Sequence, residues 1–276
     1  MVTQAEKASI FQALHQQQGA FIIPNPWDQG SAHLLEILGF KALATTSAGY
    51  AFTLGKADGQ VGREQMMRHL IELTSATTLP VSADLENGFG DAPEYVAETI
   101  LLAGQSGVVG GSIEDSTGRA DDPIYTIDVA AERIRAAAEA ARSLPFKFTL
   151  TARAENFLVG RADLKDTIKR LQAYQDAGAD VLFAPGLKTR DDIAAVVSSV
   201  DRPVNVIMGM AGVKLTLGDL ADIGVKRVST GSSLARVALA AFIKAAKELQ
   251  DQGTFNYADL VIPSPQINAL FSQNTR

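Results

Sequence analysis

Cysteine is absent from the 276 residues, and histidine occurs three times. The first absence excludes disulfides, zinc-thiolate centres and a cysteine nucleophile together. His15, His33 and His69 all fall in helical segments rather than at strand ends, so packing or surface roles are expected of them. No apolar run reaches membrane-spanning length, and the N-terminus, Met-Val-Thr-Gln-Ala-Glu-Lys, lacks the apolar centre of a signal peptide. Cytoplasm is the expected setting, with no membrane partner. Basic charge is also short: a net charge of −6 offers no stripe for nucleic acid. An acidic chain can still take anionic substrates, but only through local arginines or a metal.

What is present is an ordinary globular composition, 46% apolar and 20% charged, in a chain long enough for a sizeable core. After a helix over residues 3 to 18, apolar strands are predicted at 20–24, 41–45, 80–84, 108–114, 147–153, 181–184, 204–208 and 227–229, each followed by a helical segment. The stretch from Ser47 to Asp58 reads as a glycine-containing loop before the helix at 62–76. Short apolar strands alternating with helices mean a parallel sheet. Eight such units in roughly 230 residues, with no linker between halves, fit a single (β/α)8 TIM barrel of about 20–249, with an N-terminal helix and a C-terminal helical tail from 250 to 276. An open doubly wound sheet is the competing architecture, but no GxGxxG follows the first strand.

Barrel geometry turns position into function, because the C-terminal ends of the strands and the loops beyond them form the active-site face. The organising stretch is Val81-Ser-Ala-Asp-Leu-Glu-Asn-Gly-Phe-Gly-Asp91. Strand alternation would put Asp84 and Glu86 on one face, beside a glycine turn, an arrangement that suits a hard divalent cation and also fits a solvated strand end. Around the same rim fall Asn25, Trp27, Asp28, Thr46, Ser47, Asp58, Glu114, Asp115, Arg153, Glu155, Asn205 and Ser229. Asp58 is either functional or a turn residue in Ala-Asp-Gly. Glu114 ends a buried strand and needs a partner or a metal. Arg153 is built to grip a carboxylate or phosphate, or else to form an ion pair with Glu86, Glu114 or Glu155. Residues 115 to 126 form a polar loop that could close over a substrate.

Seven segments, in order and one per strand region, carry a resemblance: Pro24-Asn-Pro-Trp-Asp28, Ala44-Thr-Thr-Ser-Ala-Gly49, Leu54-Gly-Lys-Ala-Asp58, Ala83-Asp-Leu-Glu-Asn-Gly-Phe-Gly90, Gly111-Ser-Ile-Glu-Asp115, Thr151-Ala-Arg153 and Arg227-Val-Ser-Thr-Gly231. Over Phe21 to Leu249 the chain resembles the isocitrate lyase and phosphoenolpyruvate mutase superfamily. The resemblance implies a Mg²⁺-dependent enzyme, with Mn²⁺ as an alternative, acting on 2-oxo acids or their hydroxy acid precursors through an enolate-like intermediate. It implies Asp84 as principal metal ligand, with Asp58, Glu86 and Glu114 completing the shell or holding its waters. Arg153 would bind the substrate carboxylate or oxyanion, and the backbone around Thr46, Ser47 and Ala48 the 2-oxo acid carboxylate; Asn205 is a further candidate substrate contact. A homotetramer is implied too, often with exchanged terminal helices.

The chain departs from the named branches. Where the lyases for isocitrate and methylisocitrate carry a Lys-x-Cys-Gly-His loop, it has Asp115-Ser-Thr-Gly-Arg119, and where the phosphonopyruvate mutases carry lysine and asparagine it has only Arg119. Pro185 stands where the resemblance calls for His or Glu. The expected activity is cleavage of a carbon-carbon bond in a small 2-oxo or hydroxy dicarboxylate, as lyase or decarboxylase. The alternatives are carbon-phosphorus chemistry on phosphonopyruvate, with Arg119 as phosphoryl ligand, and a binding barrel without catalysis. Tyr50, Ser116, Arg119 and a metal-bound water are the candidates for moving the proton.

Overall fold

Capping side chains start most of the helices. Thr3, Asp28, Thr46, Thr126, Asp163, Thr189 and Thr216 each accept a hydrogen bond from a first-turn amide, and Thr3, Asp28 and Thr216 do so within reciprocal capping boxes. The computed structural model describes residues 2–273. In chain order the elements are α1 (Gln4–Gln16), β1 (Phe21–Ile23), α2 (Gln29–Ile37), β2 (Leu43–Ala44), α3 (Ser47–Thr53), α4 (Arg63–Ser75), β3 (Val81–Asp84), α5 (Pro93–Gln105), β4 (Gly110–Glu114) and α6 (Ile127–Ser143). There follow β5 (Thr149–Arg153), α7 (Leu164–Asp176), β6 (Val181–Phe183), α8 (Arg190–Ser198), β7 (Val204–Ile207), α9 (Leu217–Asp222), β8 (Arg227–Ser229), α10 (Ser233–Gln252), a 3-10 turn (Asn256–Leu260) and α11 (Ser264–Phe271).

All eight strands are parallel, in the order β1-β8-β7-β6-β5-β4-β3-β2. β1 and β2 share no ladder. Their seam is bridged by the Ala44 amide on Pro24 O at 3.1 Å and by Asn25, whose Nδ2 donates to Thr45 O at 2.8 Å. Asn25 Oδ1 in turn accepts from the amides of Thr230 and Gly231, both at 2.9 Å, so one buried side chain ties the ends of β1, β2 and β8. The result is the expected (β/α)8 TIM barrel. Apolar residues such as Leu43, Ile113, Leu150 and Leu182 are fully buried. α1 closes the N-terminal end of the barrel, where His15 meets Phe11 and Phe21 edge to face at 4.7 and 5.1 Å.

One element differs from expectation. Residues 47–53 form α3 instead of a loop, because Thr46 caps the Gly49 amide at 3.2 Å and Gly49 leaves room for Trp27, whose Cβ would lie 2.9 Å from a Cβ added there. The tail from 250 turns back on its own chain: Phe271 stacks on His33 at 5.9 Å. Yet α10 buries only Ala235, and Val237, Phe242, Phe255 and Leu260 are each about two-thirds exposed or more.

Gly110 begins β4, where an added Cβ would lie 2.8 Å from Thr149 O and 3.0 Å from a ring carbon of Phe11. That carbonyl belongs to the neighbouring strand and cannot step aside. Gly110→Ala is therefore expected to cost about 1–3 kcal/mol, seen as a lower midpoint in urea unfolding; an unchanged midpoint would mean that the β4–β5 wall yields freely.

Candidate active site

β3 delivers Asp84 to the rim and stops there. Its amide donates to Thr45 Oγ1 at 2.8 Å, and its Oδ2 accepts from the Ser47 amide and hydroxyl at 3.0 and 2.9 Å. Because the strand ends at Asp84, alternation does not carry on to Glu86. Instead Glu86 and Phe89 adopt left-handed backbone conformations, φ 49° and 63°, and this turn brings Glu86 into the same cavity as Asp84. Such conformations cost on the order of 1 kcal/mol each and persist only when the surroundings hold them. Arg133 of α6 does the holding: its guanidinium, stacked on the Tyr125 ring at 4.2 Å, donates to the carbonyls of Asn87, Gly90 and Asp91.

Arg153, last residue of β5, lies between the acids. It reaches Asp84 at 2.9 Å, Glu114 at 3.1 Å and Glu155 at 2.8 Å. Burial works against its charge, but Glu155, Glu114 and Asp84 outweigh that and raise its pKa. The acids fare less well. Burial, then Asp84 and Asp58, push Glu86 up to about 8; burial, then Asp84, raise Asp58; and burial raises Glu114 well above the usual carboxylate range despite Arg153. Asp58, Asp84, Glu86, Glu114, Arg153 and Glu155 all line one cavity of about 920 Å³ that opens at the C-terminal ends of the strands.

This donor set fits a hard cation. Glu86 Oε1 is buried with no hydrogen-bond partner, and the excess of carboxylates over guanidinium groups calls for further positive charge. No group of three or more acidic or imidazole side chains among the described residues is arranged to close directly on one ion. Mg²⁺ does not require such a group, since it keeps several waters and takes one or two carboxylates directly.

The other expected residues divide. Thr46, Ser47 and Ala48 line the cavity, but the Ser47 amide is already bound to Asp84, leaving the Ala48 amide without an intrahelical acceptor. Asn205 lines it too, with both polar ends committed: Nδ2 to Ser229 Oγ at 3.0 Å and Oδ1 to Arg227 at 2.9 Å. Arg119 departs from expectation. It is not among the cavity-lining residues, because Asp91, at 2.9 and 3.0 Å, and Asp122, at 3.3 Å, capture its guanidinium on the exposed rim. Tyr50 is outside the cavity as well, stacked on His69 at 3.7 Å. Of the three candidate proton-moving side chains only Ser116 lines the cavity. Asp115 is a buried anchor, accepting from the Glu155 amide at 2.7 Å, from Arg170 at 3.1 Å and from the Tyr174 hydroxyl. The loop it begins is a narrow arch, bridged at Ser116 and Ile124. Two contributors were given no role in the site from the sequence: Arg227, which appears there only at the head of a strand and of a family-like segment, and an apolar wall of Phe89, Leu158, Phe183, Pro185 and Ile207, of which only Pro185 was singled out.

The family model for phosphoenolpyruvate phosphomutase matches residues 11–250. A crystal structure from Burkholderia cenocepacia J2315, of provisional lyase/mutase assignment, is 60% identical, covers 98% of this chain and 97% of its own, and superimposes with a TM-score of 0.95. The 2-methylisocitrate lyase of Halalkalibacterium halodurans is 27% identical, with 91% of this chain and 85% of the relative covered. The phosphonopyruvate hydrolase of a Variovorax species is 32% identical, with 72% and 70% covered. Matched over most of its length, the chain belongs to the phosphoenolpyruvate phosphomutase family, among the lyases and mutases of the isocitrate lyase and phosphoenolpyruvate mutase superfamily.

Proposed function

We propose that this enzyme is a Mg²⁺-dependent lyase or decarboxylase that breaks a carbon-carbon bond of a small 2-oxo or hydroxy dicarboxylate. The observation that carries the reading is the buried ring of Asp58, Asp84, Glu86 and Glu114 around Arg153, with Glu86 Oε1 unpartnered. Asp84 would hold the cation, and Asp58, Glu86 and Glu114 its waters; Mn²⁺ could substitute. When bound, the cation supplies polarisation of the C2 oxygen and stabilises the charge that forms there. Ser47 fixes the Asp84 carboxylate by two hydrogen bonds. Arg153 faces the same space and is assigned the substrate carboxylate or the developing oxyanion. The wall of Phe89, Leu158, Phe183, Pro185 and Ile207 excludes water from the carbon skeleton. Ser116, on the arch, is placed to move the proton at C3 or the hydroxyl. Carbon-phosphorus chemistry is not favoured, since Arg119 is spent on Asp91 and Asp122.

No helix among the described residues is long and apolar enough to cross a membrane, and the cysteine-free composition suits a reducing cytoplasm. The exposed Val237, Phe242 and Ile243 on α10, with Phe255, Leu260 and Val261 beyond it, support assembly as a homotetramer.

Four measurements test this reading. In a proton NMR time course with oxaloacetate, 2-methylisocitrate, 2,3-dimethylmalate and phosphonopyruvate, one of the carbon acids is expected to be cleaved with Mg²⁺ and not with EDTA; Asp84→Asn should weaken Mg²⁺ binding, by more than the roughly 10- to 100-fold typical of losing a group that only supports a ligand. Consumption of phosphonopyruvate alone, or silence throughout, would overturn the assignment. Light scattering should give about four times the 29.3 kDa chain mass, and Phe242→Glu should lower it. Glu86, with its folded pKa raised to about 8 from an ordinary 4.5, binds more protons folded than unfolded, so its contribution to stability is complete below 4.5 and is lost as pH rises through 8. Between pH 7 and 8 the buried histidines are neutral in the fold and mostly neutral in the unfolded chain too, their ordinary value being 6.5, and Arg227, lowered by burial to about 9, is still charged. The melting temperature of the metal-free protein should therefore fall across that window, and Glu86→Gln should flatten the slope.

A further inference from the structure

Beneath the acidic ring the barrel interior is polar rather than aliphatic. Ser82, Asn205, Arg227 and Ser229 line the same cavity and are 3%, 1%, 5% and 7% exposed. Arg227 lies at the closed end of the shaft. Its Nε donates to Asn205 Oδ1 at 2.9 Å and its Nη2 to Thr151 Oγ1 at 3.0 Å, while Nη1 stands 3.5 Å from His15 Nε2. The other ring nitrogen of His15, Nδ1, is 2.8 Å from Phe11 O and so carries the proton, leaving Nε2 as an acceptor toward the guanidinium.

Three neutral acceptors face a group with five N–H donors. One donor on each terminal nitrogen is thus left unmet, and no carboxylate of the described residues pairs with Arg227. Every carboxylate that Arg153 pairs with lies at the rim, so the acids of this barrel are gathered at one end of the cavity and an uncompensated cation at the other. A buried guanidinium without a counter-ion is costly, and proteins ordinarily pair it. A second observation comes from a different wall: the hydroxyl of Ser82, on β3, has no hydrogen-bond partner among the described residues although the residue is almost wholly buried.

We propose that the barrel floor is a binding site for one small carboxylate-type anion, held by Arg227 and Ser82. Two N–H groups on adjacent nitrogens engage the edge of a planar O–C–O group with parallel hydrogen bonds, and a hydroxyl completes the set. The occupant is either the far carboxylate of the diacid that reacts at the rim, a source that rests on the function proposed above, or a free small anion, which does not. Binding there neutralises Arg227 without drawing on the carboxylates that surround Arg153.

The test follows the arginine Nε–H resonances of the full-length, metal-free protein by ¹H–¹⁵N NMR during titration with sodium formate at constant ionic strength, the Arg227 signal being identified by its absence in Arg227→Lys. A saturable shift of that signal is expected, and Ser82→Ala, its amide spectrum otherwise unchanged, should weaken formate by about fivefold, the worth of one hydrogen bond. Malonate added with Mg²⁺ separates the sources: displacement of formate identifies the far carboxylate of a diacid, and undisturbed formate identifies a free anion. A shift that grows without saturating, the mark of an adventitious ion only, overturns the proposal, as does a Ser82→Ala variant with unaltered formate affinity. Because the readout is binding at Arg227, absence of turnover leaves this proposal standing, and a flat titration leaves the rim chemistry standing.

Discussion

Arg153 is the interaction on which the rest of the site depends. It gathers the ends of three consecutive strands, β3 through Asp84, β4 through Glu114 and its own β5, and it takes Glu155 from the turn beyond. One positive charge among so many acids is an arrangement that a folding chain would not choose for stability alone. Asp84 stands near enough to Asp58 and Glu86 for its negative charge to add to burial in favouring their protonation, and no other guanidinium is within ion-pairing reach of them among the described residues. The site is electrostatically strained in a particular sense: it is built for more cationic charge than the protein supplies.

The scaffold answers that strain with redundant backbone support. The turn carrying Glu86 is clamped by Arg133 at three carbonyls, by Thr99 on Gly88 O at 2.8 Å, and by the Glu114 amide on Glu86 O at 2.9 Å. The neighbouring arch is rooted in Asp115 and pinned at its outer edge by Arg119 and Tyr125 on Asp91. Several carbonyls of the first loop and the Asp115 root of the second are thus held by helices outside the barrel, which leaves the cavity face of each loop free for chemistry.

Much of this was legible in the sequence for one physical reason: a barrel strand ends where its apolar run ends, so a carboxylate or guanidinium directly after the run has to be at the rim. Asp84, Glu114 and Arg153 follow that rule, and their cavity is where the rule puts it. Residues whose place depends on chain reversal escape it. Glu86 reaches the site through a left-handed turn rather than by alternation, and Arg119 is drawn off by Asp91, 28 positions away. Arg133 sits in an alanine-rich helix and looks like surface, yet it is 1% exposed. Arg227 opens its strand instead of closing it, so attention to strand ends passes over it. The short α3 is set by a threonine cap and by the room that Gly49 leaves for Trp27, neither of which appears as periodicity.

The seam between β1 and β2 gives the barrel a clasp rather than a continuous hoop. Seven strand junctions are zipped by ladders, while the eighth is held by one backbone hydrogen bond and the Asn25 side chain. Opening there breaks the fewest strand-to-strand bonds and leaves a curved but intact eight-stranded sheet, so of the eight junctions this is the line along which the barrel wall widens at least cost. Thr45, which receives the clasp through its carbonyl and holds the Asp84 amide through its hydroxyl, lies directly on that line. Swelling of the barrel is thereby coupled mechanically to the position of the acid at the centre of the site.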